Sequence, residues 1–113
     1  MEIEVNGRAV GVDNEGFLLD PDEWDMDVAH YIAQQEKLEL IDARMEIVQF
    51  VRDYYTQNQS VPEARTLLKY LREKHGKETA TRKYIYQLFP YGYGQQACKI
   101  AGTRKPLKLM LDM

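Results

Sequence analysis

Apolar and aromatic side chains at Ile47, Val48, Phe50, Val51, Tyr54 and Tyr55 recur at helical spacing and cover a broad stripe. A stripe this wide must be covered by neighbours on more than one side, so the spacing predicts a central core helix from about Ile41-Asp42 to about Tyr55. A chain of 113 residues has room for one such core, because a second would be too small to hold. The expected organisation is one domain over residues 1–102 and a C-terminal arm over 103–113.

The partners of that helix can be read on either side of it. Ile3-Glu4-Val5 and Arg8-Ala9-Val10 flank Asn6-Gly7, whose residues tolerate the positive φ of a type I′ turn, so the chain opens with a β-hairpin. Asp13-Asn14-Glu15-Gly16 breaks that pattern, and Phe17-Leu18-Leu19 is an apolar run that could pack under the hairpin. Asp20-Pro21-Asp22-Glu23 has the cap, the proline and the returning glutamate of a helix start, with Trp24, Val28, Tyr31 and Ile32 on one face. Ser60-Val61-Pro62-Glu63 repeats this logic for a helix that buries Leu67, Leu68 and Leu71 and ends at His75-Gly76.

Thr79 or Thr81 starts the next helix, which buries Tyr84, Ile85, Leu88 and Phe89 and stops before Pro90. The two form a helix-turn-helix-like pair. Tyr91-Gly92-Tyr93-Gly94 reads as a loop, followed by about two turns over Gln95–Ala101 that carry Cys98 and close at Gly102. The arm begins with basic residues around Pro106 and continues with Leu107, Leu109, Met110 and Leu111, apolar enough to want a surface. The fold class is α+β, mostly α.

No apolar run approaches the roughly 18 residues that span a bilayer, and Met1 leads into Glu-Ile-Glu-Val rather than a basic and then apolar leader. Cys98 is the only cysteine, so no disulfide can form within these residues; both features point to the reducing cytoplasm. Residues 1–60 carry 4 basic and 14 acidic side chains, net −10, while residues 61–113 carry 11 and 4, net +7. Such polarity can steer an anionic partner to one face, or be met by packing of the halves on each other.

Cys98 is the one strong nucleophile candidate. Positive charge from Lys99, Arg104 and Lys105, if near the sulfur, would lower its pKa and could hold an anionic persulfide, thiosulfonate or sulfite. The alternative is an inert, partly buried cysteine acting as a small hydrophobe. His30 and His75 have no metal-site spacing, and no phosphate-binding loop is present, so neither metal nor cofactor is assigned. The helix-turn-helix-like pair presents Lys69, Arg72, Lys77, Arg82 and Lys83, which could contact DNA phosphates, although the chain as a whole is acidic.

Read in order, Glu15-Gly16-Phe17-Leu18, Trp24 and Phe50-Val51-Arg52-Asp53-Tyr54-Tyr55 resemble the first half of the DsrC/TusE family of sulfur-relay proteins. Pro62-x-x-Arg65-x-Leu67-x-Lys69, Lys83-Tyr84-Ile85-Tyr86-Gln87-Leu88-Phe89-Pro90 and Gln96-Ala97-Cys98-Lys99-Ile100-Ala101-Gly102 resemble the second. The resemblance covers nearly the whole chain up to Pro106. It implies a compact helical domain with an N-terminal hairpin, a flexible C-terminal arm and a sulfur-carrying thiol at Cys98. The partners it implies are sulfite reductase-type or sulfurtransferase relay proteins.

Two departures qualify this. The family's penultimate cysteine, its principal sulfur acceptor, is replaced by Asp112, which cannot act as a thiol, and Gly102-Thr103-Arg104-Lys105-Pro106 replaces Gly-Leu-Pro-Lys-Pro. Ile41-Asp42-Ala43-Arg44-Met45 replaces Thr-x-x-His-Trp, so the lost hydroxyl cap moves the expected helix start to Asp42. The expected function is that of a sulfur carrier or accessory partner with Cys98 as its only sulfur-binding thiol, rather than a self-sufficient enzyme. The alternative is a thiol-independent regulatory or DNA-binding protein using the helix-turn-helix-like pair.

Overall fold

In the computed structural model, which describes residues 1–106, Asn6 and Gly7 have φ of 49° and 82°, the two left-handed residues a type I′ turn requires. They join β1 (Glu2–Val5) to β2 (Arg8–Gly11) as an antiparallel hairpin in which Ile3 lies opposite Val10. The period of two turns Val5 and Val10 into the core. Phe17 and Leu18 return beneath this hairpin: Leu18 bridges to Val12, and both side chains are buried while Leu19 is 53% exposed.

Asp20 does not start the first long helix. Its carboxylate accepts from the Asp22 amide at 3.0 Å and caps only the single 3-10 turn Pro21–Glu23. Trp24 then leaves in an extended conformation, outside any helix, and Asp25 caps α1 (Met26–Gln35) by accepting from the Val28 amide at 2.9 Å. The interruption has a tertiary cause: the Trp24 indole turns inward to donate to the carbonyl of Ile100 at 2.8 Å. Val28, Ala29, Ile32 and Ala33 form the buried face of α1.

The central helix, α2, spans Asp42–Asn58 and begins at Asp42, as the loss of a hydroxyl cap implied; Ile41 occupies the cap position without a side-chain bond. Ile47, Val48 and Val51 are fully enclosed, and Phe50 and Tyr55 pack against the core from its margin. α3 spans Ala64–His75 and closes at Gly76, but Ser60 does not cap it; Glu63 stands at the cap, with no side-chain bond. A proline disfavours helical geometry in the residue before it. Val61 and Pro62 are instead buried, and the Pro62 carbonyl accepts from the Tyr93 hydroxyl at 2.8 Å.

α4 spans Arg82–Leu88 and is capped by Thr81, whose hydroxyl accepts from the Tyr84 amide at 3.1 Å; Thr79 lies in the 3-10 turn Lys77–Thr79 between α3 and α4. The last helical segment starts earlier than its glycines suggest. Only Tyr91-Gly92 is loop, and Tyr93–Cys98 forms a π-helical stretch that continues into helical Lys99 and Ile100. Burial and hydrogen bonding of the Tyr93 side chain place it inside the core rather than in a surface loop. Residues 103–106 lie on the body, with Thr103 and Pro106 buried. Leu107, Leu109, Met110, Leu111 and Asp112 lie outside the described residues. No helix among those described is long and apolar enough to cross a membrane.

Gly102 closes this segment at φ 75°, and a Cβ there would stand 2.2 Å from Trp24 Cδ1. Gly102→Ala therefore combines a left-handed alanine with an overlap against a ring that cannot retreat without losing its bond to Ile100. The expected cost is about 2 kcal/mol or more, read as a lowered midpoint in urea denaturation with the slope unchanged; wild-type stability in this variant would refute the packing described.

Candidate functional site

Cys98 ends the π-helical stretch Tyr93–Cys98. Such stretches widen the helix by one residue per turn and recur at functional sites. Here the stretch places both Tyr93 and Cys98 inward. The Cys98 side chain has 0% exposure, enclosed in the same core as Val51, Tyr93 and Ile100. Burial pushes the thiol up to about 12, and the Tyr93 hydroxyl beside it offsets only part of that shift. Burial also pushes the Tyr93 phenol well above its ordinary value.

The basic residues expected around the sulfur are engaged elsewhere. Lys99 Nζ lies 3.3 Å from Glu36 Oε2 and 5.3 Å from the centre of the Phe17 ring. Lys105 is paired with Glu15, and Arg104 is exposed. The thiol is thus raised rather than lowered, and none of the three cations is among the causes of its shift. Lys99 instead faces a cleft of about 240 Å³ with Glu2, Asp13, Glu15 and Glu36 among its walls. Glu36 pairs with that ammonium and Lys105 with Glu15, so the cations beside this cleft are met by carboxylates rather than left for an anionic sulfur species.

What holds the thiol-bearing segment in place is a group of residues whose role was not legible in the sequence. Arg52, on α2, donates to three carbonyls: Pro21 at 3.0 Å, Ala101 at 3.3 Å and Gly102 at 3.5 Å. Its guanidinium lies 4.8 Å from the centre of the Trp24 ring, a cation–π contact, and Trp24 in turn holds the Ile100 carbonyl. Gln96 donates to Glu36 at 3.3 Å and accepts from the Tyr91 amide at 3.0 Å. Trp24 and Arg52 do stand within the recognisable runs of the sequence, but nothing in spacing alone pairs them across 28 residues with the chain beyond Cys98.

Lys69 and Arg72 are exposed on α3, Lys77 on the turn, and Arg82 and Lys83 on α4. None of these five forms an ion pair among the described residues, whereas Lys74 lies 3.9 Å from Glu46 and Arg65 is 2.8 Å from Glu63. Glu46 also takes His75 Nε2 at 2.8 Å and the Tyr70 hydroxyl at 3.1 Å, tying the end of α3 to α2.

The raised thiol makes stability depend on pH with a definite sign. An unfolded cysteine loses its proton near its ordinary pKa of about 8.5, while the folded thiol keeps it until about 12. Between those values the folded state binds one more proton, so stability falls as pH rises, by at most about 1.4 kcal/mol per pH unit. Denaturation measured between about pH 7.5 and 9, below most of the titration of unfolded tyrosine near 10, should show this decline in the wild type and a flatter profile in Cys98→Ala. Identical profiles would mean that the thiol is hydrated in the folded protein.

The sequence and the fold both have close counterparts. The family model described as "DsrC like protein" matches residues 4–110. The sulfurtransferase TusE homolog of Haemophilus influenzae is 41% identical over 108 residues, covering 96% of this chain and 99% of that protein. The NMR structure of Allochromatium vinosum DsrC superposes with a TM-score of 0.84 at 43% identity, covering 95% of this chain and 97% of that one. The oxidized gamma-subunit of the dissimilatory sulfite reductase (DsrC) from Archaeoglobus fulgidus gives a TM-score of 0.86 at 36% identity, with coverage again of 95% and 97%. With an N-terminal hairpin, a helix-turn-helix-like pair and a closing helix that bears Cys98, and with these matches along nearly its full length, the chain belongs to the DsrC-like family of sulfur-relay proteins.

Proposed function

We propose that this protein is an accessory partner in cytoplasmic sulfur relay that docks on sulfite reductase-type or sulfurtransferase proteins without itself carrying sulfur on Cys98 while folded. One observation carries this reading: the only cysteine in the sequence has 0% exposure, and its thiol is pushed up to about 12. Sulfur transfer proceeds by attack of a thiolate on a sulfur donor, and both the thiolate fraction and the access of the donor are needed. With its pKa raised by burial, the thiol stays protonated at neutral pH. Among the described residues the Cys98 side chain has no exposed surface for a donor to meet.

The fold is retained apart from that chemistry. Family membership supplies the docking partners: one solved counterpart is a subunit of dissimilatory sulfite reductase, and a curated relative is a sulfurtransferase homolog. A protein that keeps the family's shape but encloses its thiol can still occupy the family's docking sites as an accessory partner of the relay.

Intact-mass analysis tests this directly. Wild-type protein and Cys98→Ala are incubated with a persulfide-bearing sulfurtransferase, once folded and once in urea with a small persulfide donor. The expected result is no adduct on the folded wild type and a reducible gain of one or more sulfur masses on the unfolded wild type only. A reducible sulfur adduct on the folded wild type, absent from Cys98→Ala, would show that Cys98 carries sulfur and overturn the proposal.

A further inference from the structure

Arg82, Lys83, Tyr86 and Tyr91 make up a patch to which neither the core nor the thiol segment gives a role. On α4, Arg82 and Lys83 lie one turn before Tyr86, away from the buried Ile85 and Leu88, and Tyr86 is 50% exposed. The Tyr91-Gly92 turn runs beside it: a Cβ on Gly92 would sit 3.9 Å from Tyr86 Cε1, and Tyr91 is 78% exposed. These are the large exposed aromatics among the described residues. Neither Arg82 nor Lys83 forms an ion pair there.

The contrast with the other half of the chain is informative. Arg8 pairs with Asp25 at 2.6 Å, Arg44 donates to the Leu88 carbonyl at 2.7 Å, and Arg52 clamps three carbonyls. Those arginines hold the fold together, whereas the cations of α4 point to solvent. Exposed tyrosine rings flanked by cations are the composition found at the centres of protein interfaces, where the ring gives apolar area at small entropic cost and the charge selects the partner.

We propose that this patch docks an acidic surface of a relay partner, whose carboxylates meet Arg82 and Lys83 and whose apolar side chains cover the rings of Tyr86 and Tyr91. The proposal rests on the partner reading above and names the surface that reading requires. The patch is also coupled to the thiol-bearing segment, because the Tyr91 amide donates to Gln96 within the stretch Tyr93–Cys98. A compact acidic patch fits better than a nucleic acid. The chain carries a net charge of −3, with 14 acidic against 4 basic residues in its first 60, and a phosphodiester backbone running past the patch would meet that excess.

The test uses the full chain, labelled with ¹⁵N and titrated with a synthetic peptide of alternating glutamate and leucine. Shift changes are expected at Arg82, Lys83, Tyr86 and Tyr91, and Lys83→Glu and Tyr86→Ala should each weaken binding by about fivefold or more. Both positions are exposed, so the variants should keep the wild-type spectrum elsewhere. Shifts centred on another face, or affinities unchanged in both variants, would refute the patch. A duplex DNA of equal charge that binds more tightly at about 0.15 M salt would assign it to nucleic acid and equally overturn the proposal. Failure here leaves the sulfur-adduct measurement untouched, since that reads Cys98 alone.

Discussion

Arg52 is the residue on which the arrangement of this molecule turns. It stands on the central helix, yet its donors reach the Pro21 carbonyl on one side and the Ala101 and Gly102 carbonyls on the other, with its guanidinium over Trp24. The carbonyls at a helix C-terminus have no partners of their own. A planar guanidinium with several fixed donors can satisfy carbonyls from two directions at once, which a lysine cannot. The closing helix is thereby fixed to the N-terminal segment, and Gly102 has no Cβ because the Trp24 ring occupies the space one would need.

Cys98 lies two residues before that closure, enclosed in the core beside Tyr93. With Ile100, Ala101 and Gly102 held against Trp24 and Arg52, the preceding turn is pressed into the core and the thiol is sealed in. Desolvation of a thiolate then dominates its titration, because no cation is near enough to compensate. Lys99, its immediate neighbour, faces Glu36 and Phe17 instead. The same helix that completes the family's fold encloses this cysteine in the core.

The division of charge along the chain acquires a physical meaning in the fold. Three of the four cations of the first half, Arg8, Arg44 and Arg52, are fastenings bonded to a carboxylate or a backbone carbonyl, and the fourth, Lys37, is exposed. Most cations of the second half remain on the surface of α3, the turn and α4. Net charges of opposite sign on the two halves therefore do not cancel through a broad interface between them: among the described residues, the ion pairs that cross from one half to the other are Lys74 and His75 with Glu46, Lys99 with Glu36, and Lys105 with Glu15. The outward charge of α4 is what remains for a partner.

Local chemistry determined much of this protein. Asn6-Gly7 specified the hairpin, Gly76 and Pro90 the helix ends, and the stripe from Ile47 to Val51 the central helix, because each depends on residues within a few positions of one another; of Thr79 and Thr81, both legible as starts of α4, the structure uses Thr81. Motif order along the chain was equally sufficient for its family. Tertiary structure decided the rest. Local chemistry pointed to Asp20 as the cap of the first helix, but Trp24 reaches Ile100 and the helix starts after it, capped by Asp25; the burial of Pro62 against Tyr93 accompanies the later start of α3 and a helical Tyr93 that its glycines argued against. The state of Cys98 was beyond local reading for the same reason. A thiol's pKa is set by what surrounds it in space: this one shares its core with residues distant in sequence such as Val51, and Trp24 and Arg52 hold the chain just beyond it from more than 40 positions away.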